Sequence, residues 1–501
     1  MCGLTGFWSL RASRNSNTAT CEWIRNMGAT LAHRGPNDAG IWVDDETGLA
    51  LAHQRLSILD LSPAGHQPMV SASERWVLVF NGEIYNHLEL RQALESAAYI
   101  SGWRGHSDTE TLLAGFDAWG IETTLKKSVG MFALALWDRQ EQALTLARDR
   151  MGEKPLYYGW QDGVFLFGSE LKALRVHPAF KGEIDRNALA LFLRYNYVPS
   201  PYSIYRGIFK LPSGTYLRIE GRTQSTLIGP GEPQAYWSAL EVAAQGQANL
   251  FRGSDDEARE ALEQVLRQSV AGQQIADVPL GAFLSGGIDS STVVALMQTQ
   301  SSRPVRTFTI GFDVPGYNEA EYADAVARHL GCDHTELYVR PEEAQAVIPH
   351  LAHIYDEPFA DSSQIPTFLV AQLARQQVTV ALSGDGGDEL FGGYNRHIWV
   401  PRLWRKLGSI PRPLRRSVAA LLLALPPATW NRVFARLGCW LPAQWRYANA
   451  GSHLHKLAPA MALATPEAMY RHLISHWDDP AALVPGAIEL PTAVTDTQEV
   501  A

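Results

Sequence analysis

Near residue 255 the pattern of the chain changes, and this switch limits the fold more than any other feature. Before it, apolar runs are short and bounded by turn residues: Trp76–Phe80 (WVLVF), Phe132–Trp137 (FALALW) and Val164–Phe167. With a few helices among them, such as Thr109–Trp119, they read as an α+β domain. After it, a helix over Asp255–Ala271 is followed by a strand over Val278–Leu284, a Gly-rich turn and a helix through Gln298. Strands over Arg306–Phe312, Glu336–Val339 and Val378–Leu382 then alternate with helices over Glu319–Leu330, Glu343–Tyr355 and Ile365–Gln376. Parallel neighbours need a crossover of a dozen or more residues, so this alternation predicts an α/β domain with a doubly wound parallel sheet. Beyond Trp399 the chain reads as helical. Leu227–Gln234 (LIGPGEPQ) reads as a linker or exposed loop between the halves.

The remaining composition narrows the function. With 501 residues there is room for two large domains. The balance of 43 basic against 52 acidic residues disfavours a nucleic-acid binder. The most apolar uncharged stretch, Ser417–Trp430, is broken by Pro426 and Pro427, so no membrane span is expected. Met1-Cys2-Gly3 opens with no secretory pattern. Cys2, Cys21, Cys332 and Cys439 are too few for a disulfide framework and show no CxxC spacing. The expectation is a cytoplasmic protein. Arg402, Arg405, Lys406, Arg412, Arg415 and Arg416 read as a solvated helix face. His472 and His476 stand four apart but lack a third zinc ligand.

Cys2 is the first residue with specific chemistry. Removal of Met1 would make it N-terminal, and its α-amino group, with a pKa near ~8, could then serve as base for its own thiol. Around it stand His33-Arg34-Gly35-Pro36, His53-Gln54-Arg55-Leu56-Ser57-Ile58, Phe80-Asn81-Gly82-Glu83-Ile84-Tyr85-Asn86, Gly105-His106-Ser107-Asp108-Thr109-Glu110 and Gly152-Glu153-Lys154-Pro155. This set resembles the class II glutamine amidotransferase domain, an N-terminal-nucleophile hydrolase with an αββα sandwich, over residues 2–215. The resemblance implies a glutaminase. Cys2 attacks the side-chain amide, and Asn81 with the Gly82 N–H stabilises the oxyanion. Arg55 pairs with the glutamine carboxylate, and Glu83 and Asp108 with its ammonium. Read without the resemblance, Asn81-Gly82 is a hairpin turn and Asp108 a helix cap.

The second half carries Ser285-Gly286-Gly287-Ile288-Asp289-Ser290-Ser291 between a strand and a helix. Glycines let the backbone approach a phosphate, and a helix N-terminus favours the anion. Ser285 and Ser290 add hydroxyls, and Asp289 can hold Mg²⁺. Ser383-Gly384-Asp385-Gly386-Gly387-Asp388-Glu389 follows another strand, with further acids at Asp356, Glu357 and Asp361. Acids beside a triphosphate require Mg²⁺ between them. The two loops resemble the ATP-pyrophosphatase site of the class B asparagine synthetase family, over about Asp255–Trp399. The resemblance implies that Leu284 and Ile310 line the adenine and ribose site. Ser285, Gly286, Gly287, Asp289, Ser290, Ser383 and Gly384 then bind ATP, Asp289 and Asp388 bind Mg²⁺, and Asp385 takes the acidic position of adenylate formation.

The domains expected are thus a glutaminase at 2–215, a linker at 216–254 and an ATP-binding synthetase domain at 255–501, with a homodimer as a family expectation. The implied reaction passes ammonia from glutamine to a carboxylate activated as its adenylate, aspartate first. Asp385, where the best-known members carry Glu, leaves open another carboxylate, such as a uronic-acid sugar in surface-polysaccharide synthesis. The family continues with Tyr-Leu-Pro-Asp-Asp and Lys-x-Asp-Arg segments that this sequence does not contain; it closes at Thr492–Ala501. The expectation drawn from this is a competent glutaminase half and an impaired synthetase half, unless another chain supplies the segment. A truncated glutaminase or a non-catalytic binding remnant are the further alternatives.

Overall fold

The computed structural model describes residues 1–9, 17–100, 102–220, 232–312, 318–437 and 450–492. Residues 221–231 of the predicted linker, Cys439 and residues 493–501 lie outside the described residues. The chain divides into two compact units, Met1–Phe192 with Asn196–Gly384, and Leu193–Tyr195 with Asp385–Ala501.

The first unit begins with twelve strands: β1 (Gly3–Ser9), β2 (Asp38–Asp44), β3 (Leu49–Arg55), β4 (Met69–Val70), β5 (Trp76–Ile84), β6 (Gly130–Asp138), β7 (Ala143–Arg148), β8 (Tyr157–Gln161), β9 (Val164–Gly168), β10 (Ile208–Lys210), β11 (Thr215–Glu220) and β12 (Gln234–Ala235). They form two antiparallel six-stranded sheets, ordered β10-β8-β9-β1-β3-β2 and β12-β11-β7-β6-β5-β4. Side chains alternate between the faces of a strand, so both faces need a partner when the whole strand is apolar. Leu4, Trp8, Leu49 and Leu51 of one sheet meet Val77, Val79, Ala135 and Trp137 of the other between the layers. Leu78, Phe80 and Leu134 face outward onto Leu90, Leu112, Leu113 and Phe116 of covering helices. Phe7, Ala50 and Leu166 do the same on the other side, against Ile24, Met27 and Leu31. Helices on both outer faces make the four-layer αββα sandwich that the motifs imply.

Four more strands, β13 (Leu280–Phe283), β14 (Arg306–Phe312), β15 (Asp333–Val339) and β16 (Val380–Leu382), form a wholly parallel sheet ordered β15-β14-β13-β16. Strand starts differ from the sequence reading by up to three residues. The chain steps outward from β13 to β15 and then returns to the far side of β13. The order therefore reverses between β13 and β16, where open parallel sheets bind ligands beyond the strand ends.

The second unit is helical beyond Tyr394, as expected, with helices at Asn395–Leu407, Arg412–Leu423, Pro427–Leu437, Ala450–Met461 and Pro466–Ile474. Val400, Leu407, Ala460 and Met469 form its small core. The basic cluster is not one solvated face. Arg415 is buried and donates to the carbonyls of Ile410, Met461 and Leu463 at 3.1, 3.0 and 2.9 Å, while Arg402, Arg405, Lys406, Arg412 and Arg416 stay exposed. Among the described residues no single helix is long and apolar enough to cross a membrane.

Candidate active site

Cys2 stands at the entrance of β1, where pairing of Gly3 with Gln54 sets it beside Leu56. The Leu56 N–H donates to Cys2 Sγ at 3.3 Å, and the thiol donates to the Leu56 carbonyl at 3.6 Å. Arg34 Nε fixes the Cys2 carbonyl at 2.8 Å. Burial pushes the Cys2 thiol up, so it needs a base to react. Burial also pulls the Met1 amine down to about 5.

Asn81-Gly82 is not a turn. It lies inside β5, and Asn81 and Gly82 pair with Ala133 and Phe132. A side chain at Gly82 would collide with the Met131 carbonyl, so the close approach of β6 requires glycine at this point of the strand. Asn81 is 1% exposed, yet both of its amide atoms lack a protein partner. Leaving a buried amide unpaired costs about 1–3 kcal/mol, so such a group marks a place where a ligand completes the bonding.

Arg55, Glu83 and Asp108 line the same cavity as Cys2, Asn81 and Gly82, a cavity of about 40 Å³ that opens to solvent. The Arg55 guanidinium is held by the carbonyls of Ser62 at 3.1 Å, Leu59 at 3.3 Å and Asp60, which pre-sets its direction. Asp108 opens the helix Asp108–Trp119, but the cap is Ser107; Asp108 instead accepts the Ile84 N–H at 2.9 Å. Glu83 Oε1 is buried with no partner, and burial followed by the charge of Asp108 pushes Glu83 up to about 7. Burial also raises Asp108. Two buried carboxyls, one of them with an unpaired oxygen, and one anchored guanidinium suit an α-ammonium and α-carboxylate.

Lys154 was quoted in a motif but given no role by the sequence. It lines the pocket, with Nζ 3.1 Å from Met1 Sδ, and burial lowers its pKa. Gln67 was not singled out at all. Its side chain accepts the Phe80 N–H at 2.7 Å and donates to Thr109 Oγ1 at 3.3 Å, tying β5 to the helix of Asp108.

The second loop pair sits at the reversal of the parallel sheet. Ser285-Gly286-Gly287 links β13 to the helix Ile288–Gln300, with Gly287 at the cap. Gly286 has φ +78° and a Cβ there would fall 2.7 Å from Tyr322 Cβ, so only glycine fits. Ser290 is buried, and its hydroxyl takes the Ser285 N–H at 3.2 Å and stands 3.0 Å from Ser285 Oγ. Ser290 thus shapes the loop here. Asp289 lies in the first turn of that helix, and a carboxylate is the kind of hard oxygen donor that Mg²⁺ takes. A Cβ on Gly384 would fall 2.6 Å from the Ser290 N, so the loop after β16 rests directly on the first. Leu284 is buried and Ile310 lies near the end of neighbouring β14.

In the other unit, Asp385 is exposed, and Asp388 lies in the short helix Gly387–Phe391. Glu389 accepts the Tyr394 hydroxyl at 2.5 Å. Asp356 and Glu357, expected as acids near the triphosphate, are neutralised within the first unit. Asp356 meets Lys172 at 3.3 Å, and Glu357 meets Lys210 at 2.5 Å.

Comparison with known proteins follows this geometry. Residues 1–237 match the profile of the glutamine amidotransferase domain, and residues 261–500 that of asparagine synthase. A protein of Mycobacterium tuberculosis (strain ATCC 25618 / H37Rv), provisionally named a glutamine-hydrolysing asparagine synthetase, is 36% identical over 92% of this chain and 71% of its own length. Asparagine synthetase [glutamine-hydrolyzing] 1 of Bacillus subtilis (strain 168) is 33% identical over 89% of this chain and 67% of its own. Asparagine synthetase B of Escherichia coli (strain K12) is 31% identical over 79% and 65%.

Proposed function

This chain belongs to the glutamine-hydrolysing asparagine synthetase family, and on that premise we propose that it makes an amide from glutamine nitrogen, most directly asparagine from aspartate. It is an ATP-dependent enzyme with glutamine as nitrogen donor. The observation that carries the reading is the pocket in which Cys2 faces an Asn81 amide and a Glu83 oxygen left without protein partners.

Once Met1 is removed, the α-amine of Cys2 accepts the thiol proton. The thiolate adds to the glutamine side-chain carbonyl, and Asn81 with the Gly82 N–H holds the oxyanion. Collapse expels ammonia as the amine returns the proton, leaving a γ-glutamyl thioester. Water then releases glutamate and restores the thiol. Arg55 holds the substrate carboxylate, and Glu83 and Asp108 its ammonium.

In the synthetase half, the acceptor carboxylate attacks the α-phosphorus of ATP, giving an acyl-adenylate and pyrophosphate. Ammonia displaces AMP and forms the amide. The backbone N–H groups of the loop at Gly286-Gly287 and the Ser383-Gly384 turn would receive the phosphates. Asp289 and Asp388 would hold Mg²⁺, which neutralises pyrophosphate charge. Asp385 would serve adenylate formation. The domains proposed remain 2–215 and 255–501, and the segment 216–254 between them carries most of β11 and all of β12 of the second six-stranded sheet.

The test supplies ATP, Mg²⁺, aspartate and glutamine carrying ¹⁵N in its side-chain amide. The reading expects ¹⁵N-asparagine and pyrophosphate in equal amounts, both lost without ATP. Glutamate formed with no labelled asparagine, and with labelled product from a uronic acid instead, would replace aspartate as acceptor.

A further inference from the structure

The first unit contains a contact that joins residues far apart in sequence. Asp277 lies between the helix Asp255–Gln273 and β13, three residues before Leu280. Its N–H donates to the Ile58 carbonyl at 2.9 Å. Its carboxylate accepts the Asp60 N–H at 2.8 Å and stands 2.7 Å from His106 Nε2.

Asp60 is a hub. It is fully buried, at φ +57°, a left-handed conformation that few residues other than Gly, Asn and Asp adopt. Its carboxylate accepts the His106 N–H at 2.8 Å and the Ser62 N–H at 3.1 Å. Its carbonyl accepts from Arg55 Nη2. One residue thus fixes the guanidinium expected to hold the substrate carboxylate. It also fixes the backbone two residues before Asp108. Asp277 holds this hub from outside.

The other end of the contact leads to the nucleotide loops. Pro279, two residues after Asp277, accepts the Thr379 N–H at 2.9 Å. β13 and β16 therefore both start at this point, and both end in the loops after Phe283 and Leu382. A four-residue strand such as β13 spans about 13 Å. The ladder of β13 and β16 joins the two strands along that length.

We infer that Asp277 and His106 form a clamp by which the nucleotide half positions the glutamine site, so that ATP on the loops alters the grip on glutamine. They are positioning residues and touch neither substrate. The inference rests on the proposed two-site reading. Coupling of two sites is reciprocal, so glutamine must change ATP affinity by the same factor.

The experiment uses the full chain. Glutamate release gives kcat and KM for glutamine with and without ATP and Mg²⁺, and titration calorimetry measures ATP binding separately. The expected result in the unaltered chain is an ATP-dependent change in glutamine KM of about fivefold or more. Asp277→Asn and His106→Asn should reduce that change below about twofold, with kcat retained. His106→Gln, which keeps an N–H able to reach Asp277, should restore part of it. The His106 side chain is 60% exposed, so its variants should fold, and unchanged melting temperatures verify this. ATP that binds without altering glutamine KM overturns the clamp and leaves the proposed function standing. Variants that keep the full ATP effect also overturn it. No ATP binding at all overturns the two-site reading and the clamp with it.

Discussion

Replacing Glu83 by glutamine should stabilise the protein above neutral pH while weakening its hold on glutamine. Glu83 is 7% exposed, one of its oxygens has no partner, and the Asp108 carboxylate stands nearby. Burial and that neighbour raise Glu83 from 4.5 to about 7. The native state therefore binds this proton more tightly than the unfolded chain does. Between pH 4.5 and 7 the folded protein holds more protons, so stability falls as pH rises. A rise from 4.5 to about 7, at about 1.4 kcal/mol per unit, makes the full cost about 3 kcal/mol at pH 8. Glu83→Gln carries no such charge and should lose this slope. Urea-unfolding midpoints at pH 5, 6, 7 and 8 read the difference, which should open with pH in favour of the variant. Glutamate-release kinetics on the same samples should show KM raised about 10- to 100-fold, the value of a charged hydrogen bond to the ammonium. Parallel pH profiles for the two proteins, within about 0.5 kcal/mol throughout, would refute the reasoning.

Asn81→Ala should lower kcat for glutamine hydrolysis by about 10²- to 10³-fold with little change in KM, because its amide acts on the oxyanion; steady-state glutamate release checks this. Arg55→Lys keeps the charge but cannot bond the carbonyls of Leu59, Asp60 and Ser62 together, so glutamine KM should rise about tenfold or more with folding intact. Gly384→Ala would press a methyl onto the Ser290 backbone at 2.6 Å and part the two nucleotide loops. Calorimetry should then find ATP binding weakened about 10- to 100-fold, with glutamine hydrolysis in the absence of ATP unaffected.

Both halves of the fold were legible for physical reasons. Whole-strand apolar runs such as WVLVF and FALALW demand cover on two faces, and strand–helix alternation demands parallel pairing. Cys2, Arg55, Asn81, Gly82, Glu83 and Asp108 do converge on one pocket. The local meaning of Asn81-Gly82 was less legible. Turn chemistry and mid-strand pairing use the same two residues, and only the approach of β6 decides between them. Arg415 looked like one of several surface arginines, because two of the three carbonyls it satisfies lie 46 and 48 residues away. Asp277 and Asp60 are separated by 217 residues, and no local pattern reports such a contact. Asp356 and Glu357 read as phosphate-side acids because their lysine partners sit in the other half of the sequence.

The most direct test of the central claim is glutamine hydrolysis by the purified chain and by Cys2→Ala, with mass spectrometry of the protein during turnover. The account predicts glutamate from the unaltered chain, a γ-glutamyl adduct on a Cys2 that has lost Met1, and neither from Cys2→Ala. Glutamate released equally by both proteins, or by neither, would contradict it.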